Sequence, residues 1–139
     1  MKGCAPWRVR AAAESIGNAR FLPVMSLEHV KTRVAFNLPI GQNQGGRYPL
    51  TQADARTEAA EFMRWDAPRL REAGEDAGRR SALARILASE AAWELARAAM
   101  TTRGGWALGT EYHVERKLRE STVLPIATTN GLSADGETE

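Results

Sequence analysis

Apolar and polar positions recur along this chain with the period of α-helices. From Trp7 to Val34, Val9, Ala13 and Ile16 mark one apolar stripe, and Leu27, Val30 and Val34 continue it. Ile16 and Leu27 stand eleven residues apart, about three turns, so the stripe keeps its register. Pro23 falls inside this first helix and predicts a kink, because its ring clashes with the preceding turn and it donates no hydrogen bond. Asn37, Pro39, Gly41 and the pair Gly45-Gly46 then break the pattern. Pro49 or Thr51 is expected to open a second helix over about 49–73, with Leu50, Phe62, Met63, Trp65 and Leu70 as its apolar positions. Pro68 is expected to bend its last turn.

The polar segment 74–78, with two glycines, suits a short connection between antiparallel neighbours. A third helix over about 79–103 is apolar on two seams, Leu83, Leu87, Ala91, Leu95 and Ile86, Trp93, Met100. Such a broad apolar arc predicts an interior position, and Gly104-Gly105 ends the helix without a Cβ penalty. A shorter fourth helix is expected over about 110–123, "ATTNG" (127–131) as a loop and N-cap, and 133–139 as a disordered polar tail. The pattern predicts an all-α fold, an up-and-down bundle of three long antiparallel helices and a shorter one over residues 1–132.

Composition agrees and narrows the function. The 139 residues suit one domain, long enough to bury roughly two-thirds of its unfolded surface. Ala, Leu, Arg and Glu dominate while β-branched residues are sparse, which favours helices. The net charge is +2, from 19 basic and 17 acidic residues. The two signs are interleaved, as in "REAGEDAGRR" (71–80), without the one-sided basic stripe of a nucleic-acid binder. The single cysteine, Cys4, excludes an internal disulfide, and His29 and His113 stand too far apart in sequence to suggest a metal site. No apolar run reaches the ~20 residues of a membrane span. Arg8 and Arg10 interrupt any signal-peptide apolar region. A cytoplasmic helical domain is the expectation.

The turn "TRVAFNLPIGQNQ" (32–44) is richer than a helix connection requires, carrying a guanidinium, an aromatic ring and several amides. The order of features around it resembles the C-terminal helical domain of the acyl-CoA dehydrogenase flavoproteins across residues 7–132. Gly17–Ala19 is followed by "KTRVAF", then "PIGQNQ", then Gly104-Gly105, then "EYHVERKLRE" with "LPI" behind it. Each piece alone is weak; their order and separations carry the likeness. The resemblance implies that Arg33, Phe36 and Gln44 contact a flavin adenine dinucleotide (FAD) bound mainly by a neighbouring subunit. The family's spacing, an aromatic three residues after the arginine and a glutamine eight further, is met at each place. A guanidinium suits a pyrophosphate through paired charge-assisted hydrogen bonds, and a helix start near Gln44 would offer N–H groups to the anion. Gly104 and Gly105 would let the dinucleotide approach the backbone closely. The resemblance implies a glutamine three residues before the first glycine, and a glycine two places and an aromatic three places beyond the pair. Here Thr101 and "WAL" (106–108) replace that pattern.

In the family the flavin carries the redox chemistry and a glutamate removes the substrate's α-proton. The two positions used for that glutamate fall here on Thr128 and Trp7. Neither is a carboxylate, and Glu14, seven residues beyond Trp7, lies about 10 Å further along the helix. No catalytic residue is therefore expected in this chain. The family's N-terminal helical domain and middle β-domain have no counterpart in the 139 residues. One expectation is an FAD-contacting, oligomerising domain of an acyl-CoA dehydrogenase-like oxidoreductase, working as a homo-oligomer or with a separately encoded N-terminal half. Acyl-CoA would be its substrate only in the complete enzyme. The competing expectation is a catalytically inactive helical interaction module.

Overall fold

The computed structural model describes the backbone of residues 5–132 and the side chains of residues 6–126, so the expected tail at 133–139 lies outside the described residues. Four helices carry the fold: α1 (Ala5–Thr32), α2 (Gln44–Glu72), α3 (Gly78–Arg103) and α4 (Val114–Leu132). Between α1 and α2 lies a hairpin of two-residue strands, β1 (Val34–Ala35) and β2 (Leu38–Pro39), followed by a 3-10 turn at Ile40–Gln42. Two further 3-10 turns, Gly104–Leu108 and Thr110–Tyr112, join α3 to α4. α3 packs against α1, α2 and α4, the interior position its wide apolar arc predicts.

Alanine, more than the larger side chains, builds the core. Along α3 the buried positions include Ala84, Ala88, Ala91, Ala92, Leu95, Ala96 and Ala99. They meet Ala12, Ile16, Ala19 and Leu22 of α1 and Leu50, Ala53 and Ala60 of α2. Small side chains let helix axes approach closely, so the interior is filled by backbone proximity more than by long side chains. This corrects the expected stripes. On α1 the buried line runs through Ala12, Ile16, Ala19, Leu22 and Val30, while Ala13, Leu27 and Val34 are exposed. On α2, Phe62 and Trp65 face solvent at 77% and 57% exposure. The bulkiest residues set the expected stripes, whereas alanine positions set the real one.

Two boundaries also differ. α2 begins at Gln44, several residues before Pro49, because the Asn43 side chain caps it by accepting from the Gly45 N–H at 3.0 Å. Gly45 and Gly46 are thus the first turn of a helix and not part of the loop. α4 runs on through Pro125 and across 127–131 to Leu132, where a loop and N-cap were expected. α1 is one helix with Pro23 inside it, as expected.

Buried hydroxyls test how tightly this alanine core is satisfied. Ser15 and Thr57 donate to the carbonyls of Ala11 and Ala53, each at 3.0 Å. Ser26, fully buried on α1, has no partner for its Oγ among the described residues. Ser26→Ala removes an unpaired polar atom and keeps the Cβ, so it should raise stability by about 1 kcal/mol in a denaturant titration. A loss of stability would show that the hydroxyl has an acceptor in solution.

Candidate functional site

The hairpin after α1 presents its tip to solvent. Ala35 pairs with Leu38, so Phe36 and Asn37 form a two-residue turn, and both have left-handed backbone, φ 52° and 67°. That is the turn geometry favoured in tight hairpins, where Asn is common and a bulky residue is costly. Phe36 nonetheless occupies it with its side chain fully exposed, at 100%. A wholly solvated aromatic in left-handed backbone contributes little to the fold.

Arg33 stands at the base of the hairpin. Its N–H donates to the His29 carbonyl, ending α1, and its carbonyl accepts from the Ile40 N–H, both at 2.9 Å. The guanidinium has no ion pair or hydrogen bond among the described residues. Below the hairpin the 3-10 turn lies hard against α1. A Cβ at Gly41 would sit 3.0 Å from the Val30 carbonyl oxygen, so a larger residue there would have to push the turn and α1 apart by a few tenths of an ångström.

Gln44 is exposed at the start of α2. The expected anion-binding N–H groups of this helix start are largely committed. Gly45 donates to the Asn43 side chain, and Gly46 and Arg47 both donate to the Asn43 carbonyl at 3.2 Å. Any anion here is therefore held by side chains more than by the helix terminus.

Across from Arg33, α3 ends at Gly104, whose φ 60° and ψ −140° are open to glycine alone. Gly105 does not have a positive φ, and an added Cβ at either glycine meets nothing within 4 Å. The two glycines thus differ in kind: Gly104 is required by the backbone, and Gly105 is not required by the fold at all. Gly104→Ala should cost about 1–3 kcal/mol, while Gly105→Ala should leave stability within about 0.5 kcal/mol. Equal, large losses in both would mean Gly105 is also structural.

An open cleft of about 400 Å³ joins these elements, lined by Met25, Glu28, His29, Thr32 and Arg33 from the α1 side and by Arg103, Trp106 and Tyr112 opposite. Arg33 thus lines a cleft with Arg103 and Trp106, the residues on either side of the Gly104-Gly105 pair, while the two glycines, Phe36 and Gln44 are not among its lining residues. Arg103 is 8% exposed; one of its amino groups donates to the Met25 carbonyl at 2.8 Å and its guanidinium lies 4.8 Å over the Tyr112 ring. Tyr112 meets Trp106 edge to face, 5.9 Å between centroids. Burial holds the His29 imidazole below its ordinary range, and the Arg103 and Arg33 charges push in the same direction. Sequence reasoning missed Arg103, Trp106 and Tyr112; the signal available was an arginine directly before the glycine pair.

Trp7, one of the two positions compared with a catalytic glutamate, is half exposed and lies against the Arg85 guanidinium at 4.4 Å. Burial, with Arg8 nearby, lowers the Arg85 pKa, so the surroundings of Trp7 are cationic. Thr128 lies on the helical backbone of α4, outside the described side chains. No cluster of His, Cys, Asp or Glu able to hold a metal occurs among the described residues, and no helix among them is long and apolar enough to cross a membrane.

Residues 1–131 match the family described as acyl-CoA dehydrogenase, C-terminal domain. Among curated relatives, an acyl-CoA dehydrogenase of Bacillus subtilis is 34% identical over 119 residues, covering 86% of this chain and 31% of that protein. Acyl-CoA dehydrogenase FadE12 of Mycobacterium tuberculosis is 33% identical over 127 residues, covering 90% of this chain and 33% of that protein. Of solved structures, butyryl-CoA dehydrogenase from Megasphaera elsdenii superposes with a TM-score of 0.81 at 26% identity, over 87% of this chain and 32% of that one. PigA, solved with FAD and proline, gives a TM-score of 0.76 at 29% identity, over 80% of this chain and 29% of that one. The chain spans about a third of the length of the relatives it matches.

Proposed function

The chain belongs to the acyl-CoA dehydrogenase family, as its C-terminal helical domain, and from that premise we propose that it supplies contacts to FAD held mainly by a neighbouring subunit. Arg33 takes the pyrophosphate, Phe36 and Gln44 flank the dinucleotide, and Gly104 and Gly105 let it approach the backbone. The observation that carries this reading is the Arg33 guanidinium, unpaired among the described residues, in a cleft also lined by Arg103 and Trp106 on either side of the Gly104-Gly105 pair, next to a hairpin with a strained and fully exposed Phe36. The residues fit the group. A dinucleotide offers the anion that Arg33 lacks, and the Cβ position at Gly105 opens onto free space that a ligand can fill.

The redox chemistry of the assembled enzyme would come from the flavin. This chain's part is to bind and orient, since Trp7 and Thr128 offer no carboxylate for removing an α-proton. Dehydrogenation of an acyl-CoA thioester therefore needs the domains that make up the other two-thirds of the relatives, with residues 1–132 as one bundle. The exposed Trp7, Phe62, Trp65, Val123 and Ile126 give apolar surface for those domains or for further copies of the chain. The reading puts such an assembly in the cytoplasm.

Hydrogen exchange tests the site directly. In the chain assembled with the complementary domains, adding FAD should slow exchange in 33–46 and 103–109 and leave the middle of α3 unchanged. Protection confined to other segments would sink the assignment.

A further inference from the structure

At the other end of α1 from the cleft, a cation is buried without an acceptor. Arg85 of α3 is 5% exposed, and its Nη2 is buried with no hydrogen-bond partner. Arg85 has no ion pair among the described residues. Its own helix does not supply the missing acceptor. Ser81 and Ser89, one turn away on either side and also buried, donate their hydroxyls to the Gly78 and Ile86 carbonyls at 2.8 and 2.9 Å. From α1, Arg85 meets the Trp7 ring at 4.4 Å and feels the charge of Arg8. The buried residues on the neighbouring turns of the two helices, Ala11, Ala12, Ala84 and Ala88, carry no polar side-chain atoms. A buried charged donor left unpaired is expensive and uncommon, and the π-face of an indole offsets only part of that cost.

We propose that Arg85 and Trp7 form a binding site for a carboxylate group. Stacking on the indole uses the face of the guanidinium and leaves its edge N–H groups free. Those edge groups are the ones through which an arginine takes a carboxylate in its own plane, by charge-assisted hydrogen bonds. The alanine surroundings offer nothing to a second negative charge, so a singly charged carboxylate suits the site better than a phosphate. Trp7 is half exposed on the first turns of α1, so the ring that covers the guanidinium also reaches solvent, from which a ligand enters beside it. Both residues lie outside the cleft and take no part in the proposed FAD contacts, so either assignment can fail without the other.

The 139-residue chain, titrated with sodium acetate and followed by proton–nitrogen NMR, tests the site, with sodium chloride at equal ionic strength as the control. Acetate is expected to shift the Arg85 Nε–H and Trp7 indole N–H resonances saturably, with a Kd of roughly 10 mM or tighter. Chloride should leave both in place. The Trp7 resonance is the one that disappears in Trp7→Phe. Arg85→Met, which keeps an unbranched side chain and removes its donors, should weaken acetate about tenfold or more, read at the indole. If that variant does not fold, the Arg85 Nε–H titration of the unaltered chain decides alone. Aspartate blocked at both ends, as the N-acetyl amide, separates two sources of the same group. Binding as tight as acetate's assigns the site to a side chain of a partner polypeptide, whereas binding of acetate alone assigns it to a small free acid. No saturable acetate shift, an equal response to chloride, or full acetate affinity in folded Arg85→Met would each overturn the proposal.

Discussion

Arg33→Ala is expected to abolish flavin retention when the chain is assembled with the complementary domains, while its helical circular dichroism stays unchanged. The side chain is exposed and makes no hydrogen bond or ion pair among the described residues, so the fold loses little without it. A paired, charge-assisted contact to a pyrophosphate contributes roughly 1.5–3 kcal/mol, a factor of about ten to more than a hundred in affinity. Loss on that scale converts a flavin that survives purification into one that washes out. Arg33→Lys is expected to recover only part of the retention, because an ammonium keeps the charge but lacks the planar fork. Full retention in Arg33→Ala would place the anion elsewhere.

The second large effect concerns the core. Leu95 is fully buried on α3, in a cluster with Ala19 and Leu22 of α1, Leu50 and Ala53 of α2, and Val114 of α4. Its neighbours are mostly alanines, which have no rotamers with which to close a gap. Leu95→Ala should therefore leave a cavity that persists and cost about 2–5 kcal/mol, read as a lowered denaturation midpoint at unchanged slope. Phe62→Ala is the control: although it removes a larger side chain, Phe62 is 77% exposed and the change should stay within about 0.5 kcal/mol. If Phe62→Ala were the costlier of the two in the monomeric chain, the alanine-lined core described here would be the wrong one.

Much of this molecule could be read from its sequence, but unevenly. The helices, the interior place of α3 and the break at Gly104 follow from apolar arcs and from glycine's conformational freedom, both local properties. Which face each helix buries was less legible. Leu27, Val34, Phe62 and Trp65 drew the expected stripes outward, because hydrophobicity ranks them above alanine. Close helix packing instead selects small side chains such as Ala12, Ala19, Ala88 and Ala92. The start of α2 turned on one cap, Asn43 to Gly45, which outweighed two glycines and a proline. Of the proposed site, Arg33, Phe36, Gln44 and the glycine pair come from the family resemblance, and of these only Arg33 lines the cleft. Arg103 was not identified, because its partners Met25 and Tyr112 are distant or indirect in sequence, and its significance is that it is buried. A basic residue in a list of nineteen says nothing until the fold shows which one lacks solvent.

The central question is whether this chain holds a flavin in company. The most direct measurement is absorbance in the flavin bands of the purified chain, prepared alone and co-expressed with the amino-terminal helical and β-domains of an acyl-CoA dehydrogenase. Yellow protein with those domains and colourless protein without them is the result expected. Colourless protein in both preparations, with the complex formed, would contradict it and leave a helical module whose exposed apolar residues serve association alone.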